Sequence, residues 1–172
     1  MKALIRMIDF LSAAVGKSAA WLTLAIVLLT TYLVIGRYVL RTNSIALQEL
    51  VVYMHAAVFM LGAAYALQRD EHVRVDVFYR GAAPRNKAIV NIVGTLFFLL
   101  PFATLVLWFS WRYAGNAWQV REASSNAGGL PYVYWLKTLI PVFAAMLIVQ
   151  GIAELLRNIL ILAGKIVPAQ EN

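Results

Sequence analysis

Four long apolar stretches separated by short polar ones dominate the hydropathy pattern of this 172-residue chain. They run at about 18–36, 47–67, 87–111 and 132–156. A helix needs about 20 apolar residues to cross the roughly 30 Å hydrocarbon core of a bilayer, so each stretch is long enough to span a membrane. The pattern predicts an all-α membrane protein in which residues 1–172 form a single membrane domain with four transmembrane helices.

The first 16 residues have an amphipathic pattern instead of a continuous apolar one. Polar and apolar residues recur at helical spacing on two different sides: Lys2, Arg6, Asp9 and Ser12 on one, and Leu4, Ile8, Leu11 and Val15 on the other. This pattern predicts an amphipathic helix over 1–16 that lies in the membrane interface. A signal peptide is the rival interpretation, but Asp9 interrupts its short apolar run and the following span is too long.

The end of the second span combines small residues with an alternating polar pattern. Gly62 and Ala66 are four residues apart, so another helix can approach this face closely. After Arg69, valines alternate with three polar residues, which are His72, Arg74 and Asp76. Alternate residues of an extended chain share a face, so we expect these three to fix the loop against the helix ends. An ordinary hydrophilic loop with accidental alternation stays open as the alternative.

A few polar residues and one proline interrupt the spans. Glu49 lies near the start of the second span, and His55 is deeper. We interpret His55 as a hydrogen-bonded packing residue, because an unpaired polar group in a membrane is costly. Pro101 removes a backbone donor from the third span and predicts a kink. Glu154 and Arg157, three residues apart in the fourth span, are expected to form an ion pair.

Composition and charge narrow the class of protein. The chain is 62% hydrophobic and 13% charged, whereas soluble domains carry about 25% charged residues. It has no cysteine, which excludes disulfides and thiolate chemistry. In a membrane protein, the net charge of +7 indicates the orientation of the helices in the membrane and not nucleic-acid binding. Of the fifteen basic residues, ten lie in the termini and the 68–87 loop, so the positive-inside rule places both termini in the cytoplasm.

The sequence offers no catalytic, cofactor-binding or metal-binding constellation. Its two histidines lie one inside and one outside the predicted membrane core, and there is no H-x-x-x-H pattern or phosphate-binding loop. Glu49 and Glu154 lie near opposite membrane edges, so energy-coupling residues at the midplane are missing. The pattern favours an accessory membrane subunit. A stand-alone four-helix exporter and a membrane anchor for a redox enzyme remain as alternatives.

Three stretches resemble one transporter family: LQELVVY at 47–53, GAAYALQRDEHVRVDVFY at 62–79 and GGLPYVYWLKTLIP at 128–141. Trp118, Glu122 and Ser124 also match a W-x-x-x-E-x-S pattern that precedes G-G-L-P. Together these stretches resemble the small, DctQ-like membrane subunit of tripartite ATP-independent periplasmic (TRAP) transporters. The resemblance covers nearly the whole chain and implies a multi-pass protein of a bacterial plasma membrane that is not an enzyme and has no cofactor.

The resemblance also implies partners and interfaces. In such systems a large twelve-span subunit carries out sodium-driven uptake of organic acids, and a periplasmic binding protein delivers the substrate. The small subunit would brace the large one among membrane lipids, and its 112–131 loop with Arg37, Arg41 and Arg121 would help to dock the binding protein. Candidate residues for the family motif and the partner interface are Glu49, His55, Gly62, Ala66, Arg69, His72, Arg74 and Asp76.

Overall fold

The computed structural model describes residues 1–69 and 83–164. In these ranges, four helices are long and apolar enough to cross a membrane: α1 Lys2–Tyr38, α2 Ile45–Gln68, α3 Pro84–Gln119 and α4 Val133–Leu162. The predicted all-α architecture with four long apolar helices is therefore confirmed.

The first helix, α1, is continuous over 37 residues, where the sequence predicted a separate helix over 1–16. At 1.5 Å per residue it is about 55 Å long, far more than the roughly 30 Å of a hydrocarbon core. No break is needed, because Asp9 and Ser12 find hydrogen-bonding partners on α4. The structure thus corrects the expected boundary at residue 16, and the placement of this segment in the membrane interface stays a prediction.

The last helix, α4, forms the centre of the bundle. It contacts α1, α2 and α3, while α1 packs mainly on α2 and α3 mainly on α4. A third of its most apolar window is buried, against 6–11% for the other three helices. The buried apolar residues across the described bundle are mostly alanine. Small side chains let helix backbones approach closely in lipid, where packing replaces the hydrophobic effect as the driving force.

Local sequence signals explain where the helices begin and end. Ser44 precedes α2, and its hydroxyl accepts a hydrogen bond from the Leu47 N–H at 3.4 Å, as at a typical N-cap. Pro84 opens α3, where its missing N–H has no helical partner to lose. Gly164, which follows α4, has φ 67°, a left-handed conformation that suits glycine after a helix.

The third helix, α3, contains a π-helical turn at Thr95–Leu99, just before Pro101. There the Leu100 N–H donates to the Thr95 carbonyl, five residues back. The widened turn makes room for the proline, which has no N–H of its own. Gly151 of α4 lies beside this turn, because a Cβ on it would be 2.9 Å from Leu99 Cδ2. The irregularity expected at Pro101 is therefore a π turn packed on α4.

Candidate functional site

Two polar clusters lie near opposite ends of α4. The first, the Glu49 cluster, joins Glu49 of α2 to Ser124, Asn126 and Leu130 of the α3–α4 connection. The second, the Arg157 cluster, joins Asp9 and Ser12 of α1 to Gln150, Glu154 and Arg157 of α4. Lys137, near the first cluster, and Arg157 are 20 residues apart on one helix, which is about 30 Å. The two clusters thus frame a layer as thick as a hydrocarbon core.

The Glu49 carboxylate accepts three hydrogen bonds from the α3–α4 connection. Its Oε1 accepts from Ser124 Oγ at 2.5 Å and from Asn126 Nδ2 at 2.9 Å, and its Oε2 accepts from the Leu130 backbone N–H at 2.7 Å. Hydrogen bonds to an ionised acceptor are stronger than those between neutral groups. One side chain of α2 therefore holds the connection at three points.

The glycine pair of the G-G-L-P motif lets the connection close around this carboxylate. Gly128 has φ 78°, a left-handed conformation that other residues rarely adopt. A Cβ on Gly129 would lie 2.8 Å from Glu49 Oε1 and 2.6 Å from Ser124 Cβ, so only glycine fits there. The L-Q-E stretch of α2 thus meets the neighbouring E-x-S and G-G-L-P stretches in one place. The sequence motifs marked these stretches but did not predict the contact between Glu49 and the other two.

Further contacts at the same end join α3 to the start of α4. Lys137 Nζ lies 2.6 Å from Glu122 Oε2 and 4.1 Å from the centre of the Tyr113 ring. Trp118 Nε1 donates to Thr138 Oγ1 at 2.8 Å. Four of the large rings near this connection contact one another in edge-to-face or tilted pairs with centroids 4.6–6.3 Å apart: Trp118, Tyr132, Tyr134 and Trp135. Such amphipathic rings suit a membrane–water interface.

The Arg157 cluster satisfies its polar groups inside the bundle. Arg157 donates to both Asp9 oxygens at 2.7 and 2.8 Å and also pairs with Glu154, so the ion pair predicted from the sequence is confirmed. Gln150, which is completely buried, accepts from Ser12 and donates to Asp9. Sequence analysis missed Asp9 and Ser12 as partners of α4, although both lie on the polar side of the amphipathic segment 1–16. The arrangement binds α1 to α4 and leaves no group poised for catalysis.

The candidate residues along α2 have different surroundings. His55 is exposed, and its ring lies 4.9 Å from that of Phe59. A Cβ on Gly62 would meet nothing within 4 Å, and Ala66 is half-buried. Arg69 Nε donates to Tyr65 Oη at 3.1 Å. Three further candidates lie outside the described residues: His72, Arg74 and Asp76.

The three candidate docking arginines lie on the same side of the bundle as the Glu49 cluster, and all are exposed: Arg37 in the last turn of α1, and Arg41 and Arg121 just after the ends of α1 and α3. Arg41 and Arg121 have φ 53° and 49°, an unusual conformation for residues with a Cβ. Arg121 also lies 6.0 Å from the centre of the Tyr134 ring. Arg37 lines a cleft between α1 and α2 with Tyr38 and Gln48. The structure therefore brings the Glu49 cluster and all three arginines to one end.

Across residues 1–69 and 83–164, no group of three histidine or acidic side chains lies close enough to hold a metal ion. The carboxylates of the two clusters accept their hydrogen bonds from protein donors.

Comparison with known proteins gives two findings. Residues 26–160 match the family model of the DctQ component of tripartite ATP-independent periplasmic transporters. A curated relative, the C4-dicarboxylate TRAP transporter small permease protein DctQ of Vibrio cholerae serotype O1 (strain ATCC 39315 / El Tor Inaba N16961), is 34% identical over 89 residues. That alignment covers 52% of this chain and 38% of the relative, so it spans well under half of the relative's length.

Proposed function

This chain belongs to the DctQ-component family of tripartite ATP-independent periplasmic transporters, and from that premise we propose that it is the small membrane subunit of such a transporter. The single observation that carries the proposal is the family match over residues 26–160. The four long apolar helices support a multi-pass protein of the bacterial inner membrane. Members of this family are transporter components and not enzymes.

Its role in the transporter would be that of a static brace. The two clusters support this role, because their charged groups form hydrogen bonds and ion pairs within this chain, between helices or between a helix and a connection. A transport subunit that couples ion movement needs ionisable groups free to change partners near the membrane midplane. Sodium coupling and substrate translocation would therefore be carried by the large twelve-span subunit.

The surface that meets the large subunit would include one face of α2. Residues at alternating three- and four-residue spacing share a face of a helix: Val52, His55, Phe59, Gly62, Ala66 and Arg69. His55 makes no hydrogen bond to the described residues, yet it is exposed within a span. Because a polar ring facing lipid is unfavourable, a helix of the large subunit is a better neighbour for this face than lipid chains.

The second partner, a periplasmic binding protein, would dock at the end of the bundle that carries the Glu49 cluster. The acidic side chains at this end already have partners, with Glu49 bonded to the connection and Glu122 paired with Lys137. Arg37, Arg41 and Arg121 are left exposed. A surface with exposed cations and paired carboxylates suits an acidic partner, since complementary charge speeds encounter and fixes register.

The substrate class would be organic acids taken up with sodium. The Vibrio cholerae relative carries C4-dicarboxylate in its name, so C4-dicarboxylates are the first acids to test. The test reconstitutes this chain with its large subunit in lipid vesicles and adds the binding protein outside. Sodium-driven uptake that needs both this chain and the binding protein is expected. Full uptake without this chain, or transport by this chain alone, would contradict the proposal.

The docking surface can be tested separately by reversing its charges. Single exposed ion pairs contribute about 0–1 kcal/mol, so the three changes Arg37→Glu, Arg41→Glu and Arg121→Glu are combined. We expect the combined variant to raise the binding-protein concentration that gives half-maximal uptake. Arg85→Glu, an exposed charge at the start of α3, is the control. An unchanged half-maximal concentration in the triple variant would count against this surface.

A further inference from the structure

We propose that Glu49 is a positioning residue that holds the α3–α4 connection in one preformed conformation for docking of the binding protein. This inference rests on the proposed function and adds a residue that acts through the connection instead of touching the partner. Its basis is the juxtaposition of one carboxylate with three donors spread over residues 124–130.

The three contacts reach both halves of the segment 124–130. Ser124 and Asn126 bind the carboxylate from the first half, and the Leu130 N–H binds it from the second. The segment also closes on itself, because the Ser124 N–H donates to the Leu130 carbonyl at 3.0 Å and the Gly129 N–H donates to Asn126 at 2.9 Å. Among these contacts, the Glu49 carboxylate is the group that comes from outside the segment, because it belongs to α2. It therefore fixes the segment relative to α2.

The site requires a carboxylate and not merely a polar side chain. All three groups donate to Glu49 in this structure, and an ionised carboxylate offers only acceptors to them. A glutamine would keep the size of the side chain but turn an NH2 group toward at least one donor. That donor would lose its partner, and an unpaired donor in a half-buried place weakens the whole arrangement.

A preformed connection matters for docking because a flexible one must be ordered when the partner binds. That ordering reduces affinity, whereas a segment already held in its bound conformation avoids the loss. Arg121, one of the exposed docking arginines, lies at the start of this connection in a left-handed conformation. Glu49 thus determines how the connection is presented although its own carboxylate is turned inward.

The experiment compares Glu49→Gln with Ser125→Ala in the complete transporter in lipid nanodiscs and vesicles. Ser125 is an exposed neighbour in the same segment, so its variant is the matched control. Hydrogen exchange of the backbone amides of residues 120–130 reports the conformation, and the half-maximal binding-protein concentration reports docking. We expect Glu49→Gln to speed exchange and to raise the half-maximal concentration roughly tenfold, the factor for losing about one net charge-assisted hydrogen bond. The uptake rate at saturating binding protein should stay within about twofold of the wild type, since the large subunit is untouched.

The two measurements distinguish the positioning role of Glu49 from its effect on docking. Unchanged exchange in Glu49→Gln would overturn the positioning role. Faster exchange with an unchanged half-maximal concentration would overturn its link to docking. Uptake by the wild type without any binding protein would overturn the proposed function itself, while exchange would still report the contacts of Glu49. If Glu49→Gln does not assemble, Ser124→Ala removes one of the three donors and is expected to show the same effects at smaller size.

Discussion

At the scale of single residues, the polar groups of the Arg157 cluster are matched with one another. Gln150 is completely buried and uses both ends of its amide, toward Ser12 and Asp9. Arg157 serves two carboxylates at once. Such networks are stable only when every member has a partner. Removing one member should therefore lower the free energy of unfolding by more than that residue's own contacts contribute, because its former partners are left unpaired.

Replacing Arg157 by alanine should therefore destabilise the chain strongly. Its side chain is 27% exposed, and those of Asp9 and Glu154 are 21% and 16% exposed. Both carboxylates would be left without a cation, which costs on the order of 2–4 kcal/mol at such a site. Thermal unfolding of the chain in detergent measures the effect. Arg112→Ala, at an exposed position, should change the midpoint little.

A second substitution tests whether the lower stability of Arg157→Ala comes from the uncompensated charge of the carboxylates. Adding Asp9→Asn to Arg157→Ala removes one of the two stranded carboxylates, so part of the lost stability should return. If the double variant unfolds at the same or a lower temperature than Arg157→Ala alone, the network account of this cluster is wrong.

At the scale of helices, close approach occurs where one helix supplies a glycine. A Cβ on Gly16 of α1 would lie 2.5 Å from the Cβ of Tyr65 on α2. That atom is attached directly to the backbone and cannot move away by changing rotamer. Gly151 of α4 lies against the π turn of α3, where a Cβ would be 2.9 Å from Leu99 Cδ2, the end of a side chain that has more freedom to shift. Both pairs of helices thus pack through a glycine.

Gly16→Ala should therefore weaken the packing of α1 on α2 and lower the unfolding temperature. Gly115→Ala is the matched control, because a Cβ there meets nothing within 4 Å. In an open helical position, alanine is favoured over glycine by about 0.5–1 kcal/mol, so the control should be neutral or slightly stabilised. Equal unfolding temperatures for the two variants would contradict the close contact of Gly16 with Tyr65.

The four long helices were predictable from sequence, whereas most of the contacts between them were not. A bilayer requires long uncharged runs, so the spans show in the hydropathy pattern. The Glu154–Arg157 pair follows from local helical spacing. Asp9, however, lies 148 residues from Arg157, and Leu130 lies 81 residues from Glu49. Such pairs depend on how the helices are arranged, and a single sequence carries no record of that arrangement.

At the scale of the whole molecule, the distribution of charge predicts the orientation in the membrane. Ten of the fifteen basic residues belong to the termini and the 68–87 loop, so both termini are expected in the cytoplasm. The Arg157 cluster would then lie at the inner side and the Glu49 cluster at the outer side. A reporter active only in the cytoplasm, fused after Asn172, should be active, whereas an active external reporter at that position would reverse the assignment.

Assembly with the large subunit should depend on Gly62 although the fold of this chain does not. A Cβ on Gly62 meets nothing within 4 Å, so Gly62→Leu should leave the unfolding temperature of the isolated chain nearly unchanged. On the proposed partner face of α2, the same leucine would hold a neighbouring helix away, because helices associate in lipid through close packing. Co-purification with the large subunit and sodium-driven uptake should both fall. Gly115→Leu, also at an open position but on α3, is the control for the added bulk. If both leucine variants assemble and transport like the wild type, this face of α2 borders lipid and the partner binds elsewhere.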